Sequence, residues 1–183
     1  SYHKDGFVIP DFQLPAATVA DMRAAYDALL DANADTPGFD PDFILGPHLP
    51  QPGAQGTKGD PTWLAFAQNP DILHMLAQVT GPDLILWGMT VFGKPAHHGK
   101  ITPWHQDGDY YPIEPLETTT VWIALDDATP ENGCMRYMPG SHKQRRIFPH
   151  HWDERPDYTL TQVLDDDYYD EDKAVSVELK AGK

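Results

Sequence analysis

The sequence has little sulfur and little positive charge. Of its 183 residues only Cys134 is a cysteine, so no disulfide can form within the chain. Thirteen lysines and arginines stand against 28 aspartates and glutamates, which gives a formal net charge of −15 at pH 7. Phosphate backbones and anionic membranes repel such a chain, so we expect neither nucleic acid nor a membrane as a partner.

Long apolar runs are missing as well. No stretch approaches the ~18 consecutive apolar residues of a membrane-spanning helix, and the first residues lack the basic and apolar pattern of a secretory leader. Together with the single cysteine, this composition predicts a protein of the reducing cytoplasm. The chain contains no internal repeat or low-complexity tract, and its length suits one domain with a real core.

Helical periodicity is concentrated in the N-terminal part of the chain. Residues 15–31 are rich in alanine and carry apolar side chains at helical spacing, which predicts an amphipathic outer helix. Residues 33–60 are rich in Pro, Gly and Asp and predict a long loop. Residues 61–66 and 71–79 predict two short helices. We therefore expect an N-terminal helical layer over about residues 1–80.

The second part of the chain has the composition of β-strands. Residues 84–92 form an apolar run that predicts a buried strand, and residues 118–125 alternate and predict another. Shorter strand patterns cover residues 134–138 and 174–179. Short strands separated by turns, following helices, are typical of a jelly-roll barrel. We therefore expect a mainly β protein with jelly-roll strands over about residues 84–183, in a single domain formed by the whole chain.

One short stretch concentrates the chemistry. The run from Pro103 to Pro112 contains His105 and Asp107, separated by one residue. On an extended strand alternate side chains share a face, so the imidazole and the carboxylate would converge while Gln106 points away. A mononuclear non-haem iron(II) site needs such a pair together with a third protein ligand. A His-x-Asp triplet alone is more often a surface or hydrogen-bonded pair, so the neighbouring motifs must decide.

Three blocks of sequence, the first of which contains this pair, lie between Lys94 and Lys143. They are Thr102-Pro103-Trp104-His105-Gln106-Asp107 with Tyr110-Tyr111-Pro112, then Val121-Trp122-Ile123-Ala124-Leu125-Asp126-Asp127-Ala128, then Glu131-Asn132-Gly133-Cys134-Met135-Arg136 leading into Pro139-Gly140-Ser141-His142-Lys143. Each block alone is weak, but their order and spacing are highly specific. Together they strongly resemble the phytanoyl-CoA dioxygenase-like family of Fe(II)/2-oxoglutarate oxygenases.

The resemblance implies a fold, a cofactor set and roles for particular residues. The fold is a double-stranded β-helix, a cupin-like jelly roll, and the activity is that of an oxygenase with Fe(II), 2-oxoglutarate and O₂. His105 and Asp107 match the family's first two iron ligands. Trp122 matches a position that lines the 2-oxoglutarate pocket, and Thr90 falls near another residue that contacts this cosubstrate. The block around His142 matches a structural turn rather than a ligand.

The resemblance also implies the reaction and a small-molecule substrate. Family members hydroxylate an unactivated C–H bond while 2-oxoglutarate becomes succinate and CO₂. In related halogenases a small residue replaces the carboxylate ligand, so Asp107 favours hydroxylation. Tyr110 and Tyr111 follow the ligand pair and are expected to line the substrate pocket. The acidic charge disfavours acyl-CoA, and we expect a small polar or zwitterionic metabolite.

Part of the family's site is not found in this chain. The third iron ligand, a histidine, and an arginine that pairs with 2-oxoglutarate lie downstream of the Pro-Gly-Ser-His block in the family. We therefore expect the third ligand to lie outside this chain, which would be a C-terminally truncated part of a longer protein. Two alternatives remain open. One is a non-catalytic jelly-roll binding protein without the third ligand, and the other is a cupin-type isomerase that binds metal without consuming 2-oxoglutarate. The sequence leaves the oligomeric state undetermined.

Overall fold

The computed structural model describes residues 1–52 and 55–183, and the chain divides into two compact units. Unit 1 comprises Ser1–Gln13, Gly99–Ala181 and Lys183, and unit 2 comprises Leu14–His98 and Gly182. None of the described helices has the length and apolar character needed to cross a membrane. The single domain expected from the sequence stays a prediction.

The regular elements are short apart from two helices. The α-helices are α1 Tyr2–Asp5, α2 Ala16–Asn33, α3 Trp63–Ala67 and α4 Pro70–Thr80. The strands are β1 Phe43–Leu45, β2 Thr90–Phe92, β3 Arg136–Tyr137, β4 His150–Trp152, β5 Gln162–Leu164 and β6 Val175–Ser176. The helices at 15–31, 61–66 and 71–79 that the sequence predicts are thus confirmed, with small changes at their ends.

Helix α4 shows why the local sequence suffices for helix prediction. The Asn69 side chain accepts hydrogen bonds from the backbone N–H groups of Asp71 and Ile72, at 3.0 and 3.3 Å. Pro70 occupies the first position, where its missing N–H is not needed. A capping side chain satisfies the free N–H groups at a helix start. The adjacent residues Asn69, Pro70 and Asp71 therefore determine where α4 begins.

The core of unit 2 combines α2, β1 and α3. Its fully buried members are Leu29, Ile44 and Trp63, one from each element. Ile44 is opposite Val91 in the antiparallel pair β1–β2. Partly buried apolar side chains complete the cluster: Ala25, Tyr26, Leu30, Phe39, Phe66, Met89 and Val91. The predicted long loop at 33–60 is therefore wrong where β1 enters this core. Residues 53 and 54 of that loop lie outside the described part of the chain.

The buried strand predicted at 84–92 is wrong over most of its length. Only Thr90–Phe92 forms a ladder, and Ile85 is 92% exposed. An apolar, β-prone run forms strand hydrogen bonds only where a neighbouring backbone is available. Here β1 supplies three residues of backbone that pair with β2, and before Thr90 the pairing extends by a 2.9 Å hydrogen bond from Gly46 N to Met89 O.

Unit 1 contains two antiparallel strand pairs, β3–β6 and β4–β5. Among the described residues every sheet is two-stranded, so a jelly roll is not seen. The strand predicted at 118–125 is wrong, because none of these residues belongs to a strand ladder. Ala124 N donates to Lys183 O at 2.9 Å. An antiparallel bridge between Ala128 and Leu179 continues this pairing toward β3 and β6. The C-terminal segment, residues 175–183, therefore runs antiparallel along residues 124–137, with gaps between the paired positions.

Candidate metal-binding site

The His105–Asp107 stretch is not the strand that the sequence predicts. Gln106 has extended backbone angles, with φ −117° and ψ 121°, but Asp107–Tyr110 forms a 3₁₀ helix. The extended conformation of one residue is enough to place its two neighbours on the same side. The predicted convergence is therefore present although the predicted element is absent.

The two predicted ligands face each other directly. His105 Nε2 lies 3.1 Å from Asp107 Oδ1, and His105 Nδ1 lies 2.8 Å from the carbonyl oxygen of Pro103. A carbonyl only accepts hydrogen bonds, so Nδ1 must hold a proton that it donates to Pro103. The remaining nitrogen, Nε2, then points at a carboxylate oxygen. The two side chains are 22% and 42% exposed, so ions can reach them from solvent.

The charges of the two side chains favour a cation between His105 Nε2 and Asp107 Oδ1. Burial disfavours the charged imidazole, but hydrogen bonds with Asp107 and Pro103 and the charge of Asp107 outweigh it, so the pKa of His105 is raised. The hydrogen bond from His105 lowers the pKa of Asp107, against the effect of burial. The 3.1 Å hydrogen bond shares one proton between Nε2 and Oδ1, and a divalent ion that displaced it would meet one nitrogen and one carboxylate ligand. The residues present thus fit an iron(II) ion as two of its ligands.

Thr120 is a member of the site that the sequence analysis did not single out. Its hydroxyl donates a 2.8 Å hydrogen bond to Asp107 Oδ2, the carboxylate oxygen that does not face His105. This bond fixes the rotation of the carboxylate and leaves Oδ1 for an ion. Thr120 precedes Trp122 by two residues in a pattern of alternating faces, and this spacing was the available signal.

The two positions matched to the 2-oxoglutarate pocket lie in different units. Trp122 is half-buried in unit 1, close in sequence to Thr120. Thr90 is the first residue of β2 in unit 2, opposite Leu45, and it is exposed. The cosubstrate roles of Trp122 and Thr90 stay predictions.

The two tyrosines after the pair have different surroundings. The Tyr110 hydroxyl donates to the backbone carbonyl of Gln162 at 3.2 Å, and its ring meets the His105 ring edge-on at 6.2 Å between centroids. Tyr110 therefore anchors the 3₁₀ helix to β5. Burial raises the pKa of both Tyr110 and Tyr111, so both phenols stay protonated at neutral pH. Substrate contact by either tyrosine stays a prediction.

A complete metal site is not formed by the described residues. Within 1–52 and 55–183, no three His, Cys, Asp or Glu side chains come close enough together to hold an ion. His142 lies in a 3₁₀ turn, Ser141–Gln144, and its Nε2 is 3.2 Å from the carbonyl oxygen of His3. The third ligand, expected outside this chain, stays a prediction.

A paired imidazole and carboxylate of this kind are typical ligands in non-haem metal enzymes. Similarity to known proteins points to the same class. The chain belongs to the phytanoyl-CoA dioxygenase (PhyH) family, whose sequence model matches residues 2–183. The members of this family are oxygenases. The resemblance inferred from three blocks is thus confirmed over nearly the whole chain.

Individual relatives support the same family. A phytanoyl-CoA dioxygenase of Arabidopsis thaliana is 35% identical over 102 residues, which is 54% of this chain and 34% of the plant protein. Phytanoyl-CoA dioxygenase 1 of Oryza sativa subsp. japonica is 34% identical, over 67% of this chain and 43% of its own. The peroxisomal human phytanoyl-CoA dioxygenase is 25% identical, over 78% and 46%. The chain spans less than half the length of these relatives.

A solved structure extends the likeness to the fold. The non-heme monooxygenase ThoJ, in its apo form, superposes with a TM-score of 0.71 at 29% sequence identity. The match covers 99% of this chain and 64% of ThoJ. The fold of this chain is therefore of the PhyH type.

Proposed function

We propose that this chain belongs to an Fe(II)/2-oxoglutarate-dependent dioxygenase that hydroxylates an unactivated C–H bond of a small polar metabolite. The single observation that carries the proposal is the 3.1 Å approach of His105 Nε2 to Asp107 Oδ1 in a chain of the PhyH family. The complete fold in this proposal is a double-stranded β-helix, to which the C-terminal segment paired along residues 124–137 would contribute.

The residues of the site would divide the work of binding iron. His105 would bind through Nε2, because its Nδ1 proton is held by the Pro103 carbonyl. Asp107 would bind through Oδ1, because Thr120 engages Oδ2. A third protein ligand from outside this chain would complete the iron site together with His105 and Asp107. When bound, this iron and its cosubstrates supply the oxidising power for hydroxylation, with succinate and CO₂ as products.

The substrate class rests on charge and on the residues after the pair. A net charge of −15 disfavours a polyanionic acyl-CoA, although the family takes its name from phytanoyl-CoA. Tyr110 stays protonated at neutral pH and donates its hydroxyl proton to the Gln162 carbonyl, so its hydroxyl oxygen could still accept a hydrogen bond from a polar substrate. Tyr111 also stays protonated at neutral pH. We therefore place a small polar or zwitterionic metabolite before phytanoyl-CoA.

The proposal is tested by measuring succinate from the full-length protein with Fe(II), 2-oxoglutarate, O₂ and a panel of substrates. We expect iron-dependent succinate release, raised by small zwitterionic metabolites more than by phytanoyl-CoA. Metal binding without any succinate would support the cupin-type isomerase. The absence of both metal binding and succinate would support the non-catalytic binding protein.

Replacing Thr120 with valine is expected to weaken divalent-metal binding by about two- to tenfold, the equivalent of one net hydrogen bond of roughly 0.5–1.5 kcal/mol. Without its hydroxyl, the Asp107 carboxylate is free to rotate away from His105. Calorimetric titration with Mn(II) measures the change. Thr118→Val is the matched control, because Thr118 is exposed nearby. Equal affinities for both variants would show that Thr120 does not orient the carboxylate.

A further inference from the structure

Gln106, the residue between the two proposed ligands, is held through both its side chain and its backbone N–H. The Gln106 side chain accepts a 2.7 Å hydrogen bond from the backbone N–H of Phe148 and donates one of 3.1 Å to the carbonyl of Arg146. One amide thus engages both a donor and an acceptor of the 146–148 backbone, as a neighbouring strand would. The face of the stretch opposite the metal pair is therefore fixed to a second segment.

His150 holds the backbone of the same residue. Its Nε2 accepts the Gln106 N–H at 3.2 Å, and its Nδ1 donates to the Phe148 carbonyl at 2.8 Å. These partners determine the tautomer, since an N–H can only donate and a carbonyl can only accept. The side chain is 4% exposed. Both nitrogens are engaged, so His150 is not available as an iron ligand although it lies close to the pair.

The hairpin that carries His150 brackets His105 on both sides. His150 in β4 is opposite Leu164 in β5. Leu164 N donates to Trp104 O at 2.8 Å, while His150 binds the N–H of Gln106. The main-chain groups immediately before and after His105 are therefore held by two residues that face each other across one strand pair.

The same strand pair also holds the 3₁₀ helix that begins at Asp107. Gln162 of β5 donates from Nε2 to Asp109 Oδ2 at 2.7 Å. Its carbonyl accepts the Tyr110 hydroxyl at 3.2 Å. Both ends of the stretch 104–110 are thus tied to the β4–β5 hairpin, which has no role in the proposed chemistry itself.

We propose that His150 and Gln106 are positioning residues that set the geometry of the His105–Asp107 pair. This inference rests on the proposed function and deepens it. Rotation of the Gln106 peptide would turn its two neighbours apart, because their convergence depends on its extended backbone. His150 restrains the backbone N–H of Gln106. The hydrogen bonds of the Gln106 side-chain amide to the 146–148 backbone restrain the side chain. Loss of either would leave both ligands present but poorly aligned.

The test uses the full-length protein and Co(II), whose visible absorption reports ligand geometry. We expect Gln106→Ala and His150→Leu to weaken Co(II) binding by about 10–100-fold, the usual effect of removing a group that orients a metal ligand. Both should also alter the cobalt absorption bands. His150→Gln should recover most of the affinity, since its amide oxygen can accept the Gln106 N–H.

Matched controls and folding measurements separate positioning from stability. His151→Leu and Gln144→Ala remove exposed side chains of the same types close by and should leave Co(II) affinity within about twofold. Lower melting temperatures for Gln106→Ala and His150→Leu with wild-type affinity and spectrum would overturn the inference. If His150→Leu does not fold, Gln106→Ala decides alone. Failure of the wild-type protein to bind Co(II) would instead overturn the proposed function.

Discussion

Replacing Asp107 with alanine is expected to abolish iron-dependent succinate formation and to weaken divalent-metal binding by more than about a hundredfold. Removing a group that only orients a metal ligand costs 10–100-fold in affinity, so removing a ligand should cost more. Calorimetry with Mn(II) measures the affinity, and mass spectrometry measures succinate and hydroxylated product. The fold should persist, because the side chain is 42% exposed and water can replace its bonds to His105 and Thr120.

Asp167→Ala is the control for the lost charge. Asp167 is exposed in the same unit, so its removal should leave metal affinity and succinate formation unchanged. Far-UV circular dichroism of both variants checks that each is folded. Coupled succinate and product formation by Asp107→Ala at wild-type rate would remove this carboxylate from the proposed site, and with it the main support for an iron enzyme.

The closeness of His105 and Asp107 could be predicted because it is local in sequence, while their role as metal ligands stays a prediction. The approach of His105 to Asp107 needs only that the residue between them be extended, as Gln106 is, so it survives the replacement of the expected strand by a 3₁₀ helix. Its support could not be predicted in the same way. His150 lies 44 positions from Gln106 in sequence, and no periodic pattern links the two. Contacts of this kind are decided by how separate segments pack.

The same contrast separates the helices from the strands. Helix α4 satisfies its backbone hydrogen bonds internally and is capped by Asn69, so its sequence determines it. Residues 84–92 have an equally clear apolar pattern, but a strand needs a partner backbone, and the ladder with β1 covers only Thr90–Phe92. The predicted jelly roll depended on strands at 84–92 and 118–125. The described residues do not show it, while the likeness to ThoJ places the chain in the PhyH-type fold.

Replacing Trp63 with alanine is expected to lower the free energy of unfolding by about 3–5 kcal/mol, the usual cost of removing a buried aromatic side chain. Trp63 is 3% exposed and contacts Phe66 edge-to-face, with 5.6 Å between ring centroids. It belongs to the same cluster as Leu29 and Ile44. Its loss would leave a cavity where α2, β1 and α3 meet. Urea unfolding followed by far-UV circular dichroism measures the change without relying on tryptophan fluorescence.

Trp152→Ala is the matched control, because Trp152 is 65% exposed and should cost less than about 1 kcal/mol. Trp63→Phe should fall between the two, since phenylalanine refills part of the cavity. This order follows if α2, β1 and α3 are stabilised by one shared core rather than by their own propensities. β1 has three residues and α3 has five, so neither is stable alone. Equal costs for Trp63→Ala and Trp152→Ala would mean that these elements do not fold around Trp63.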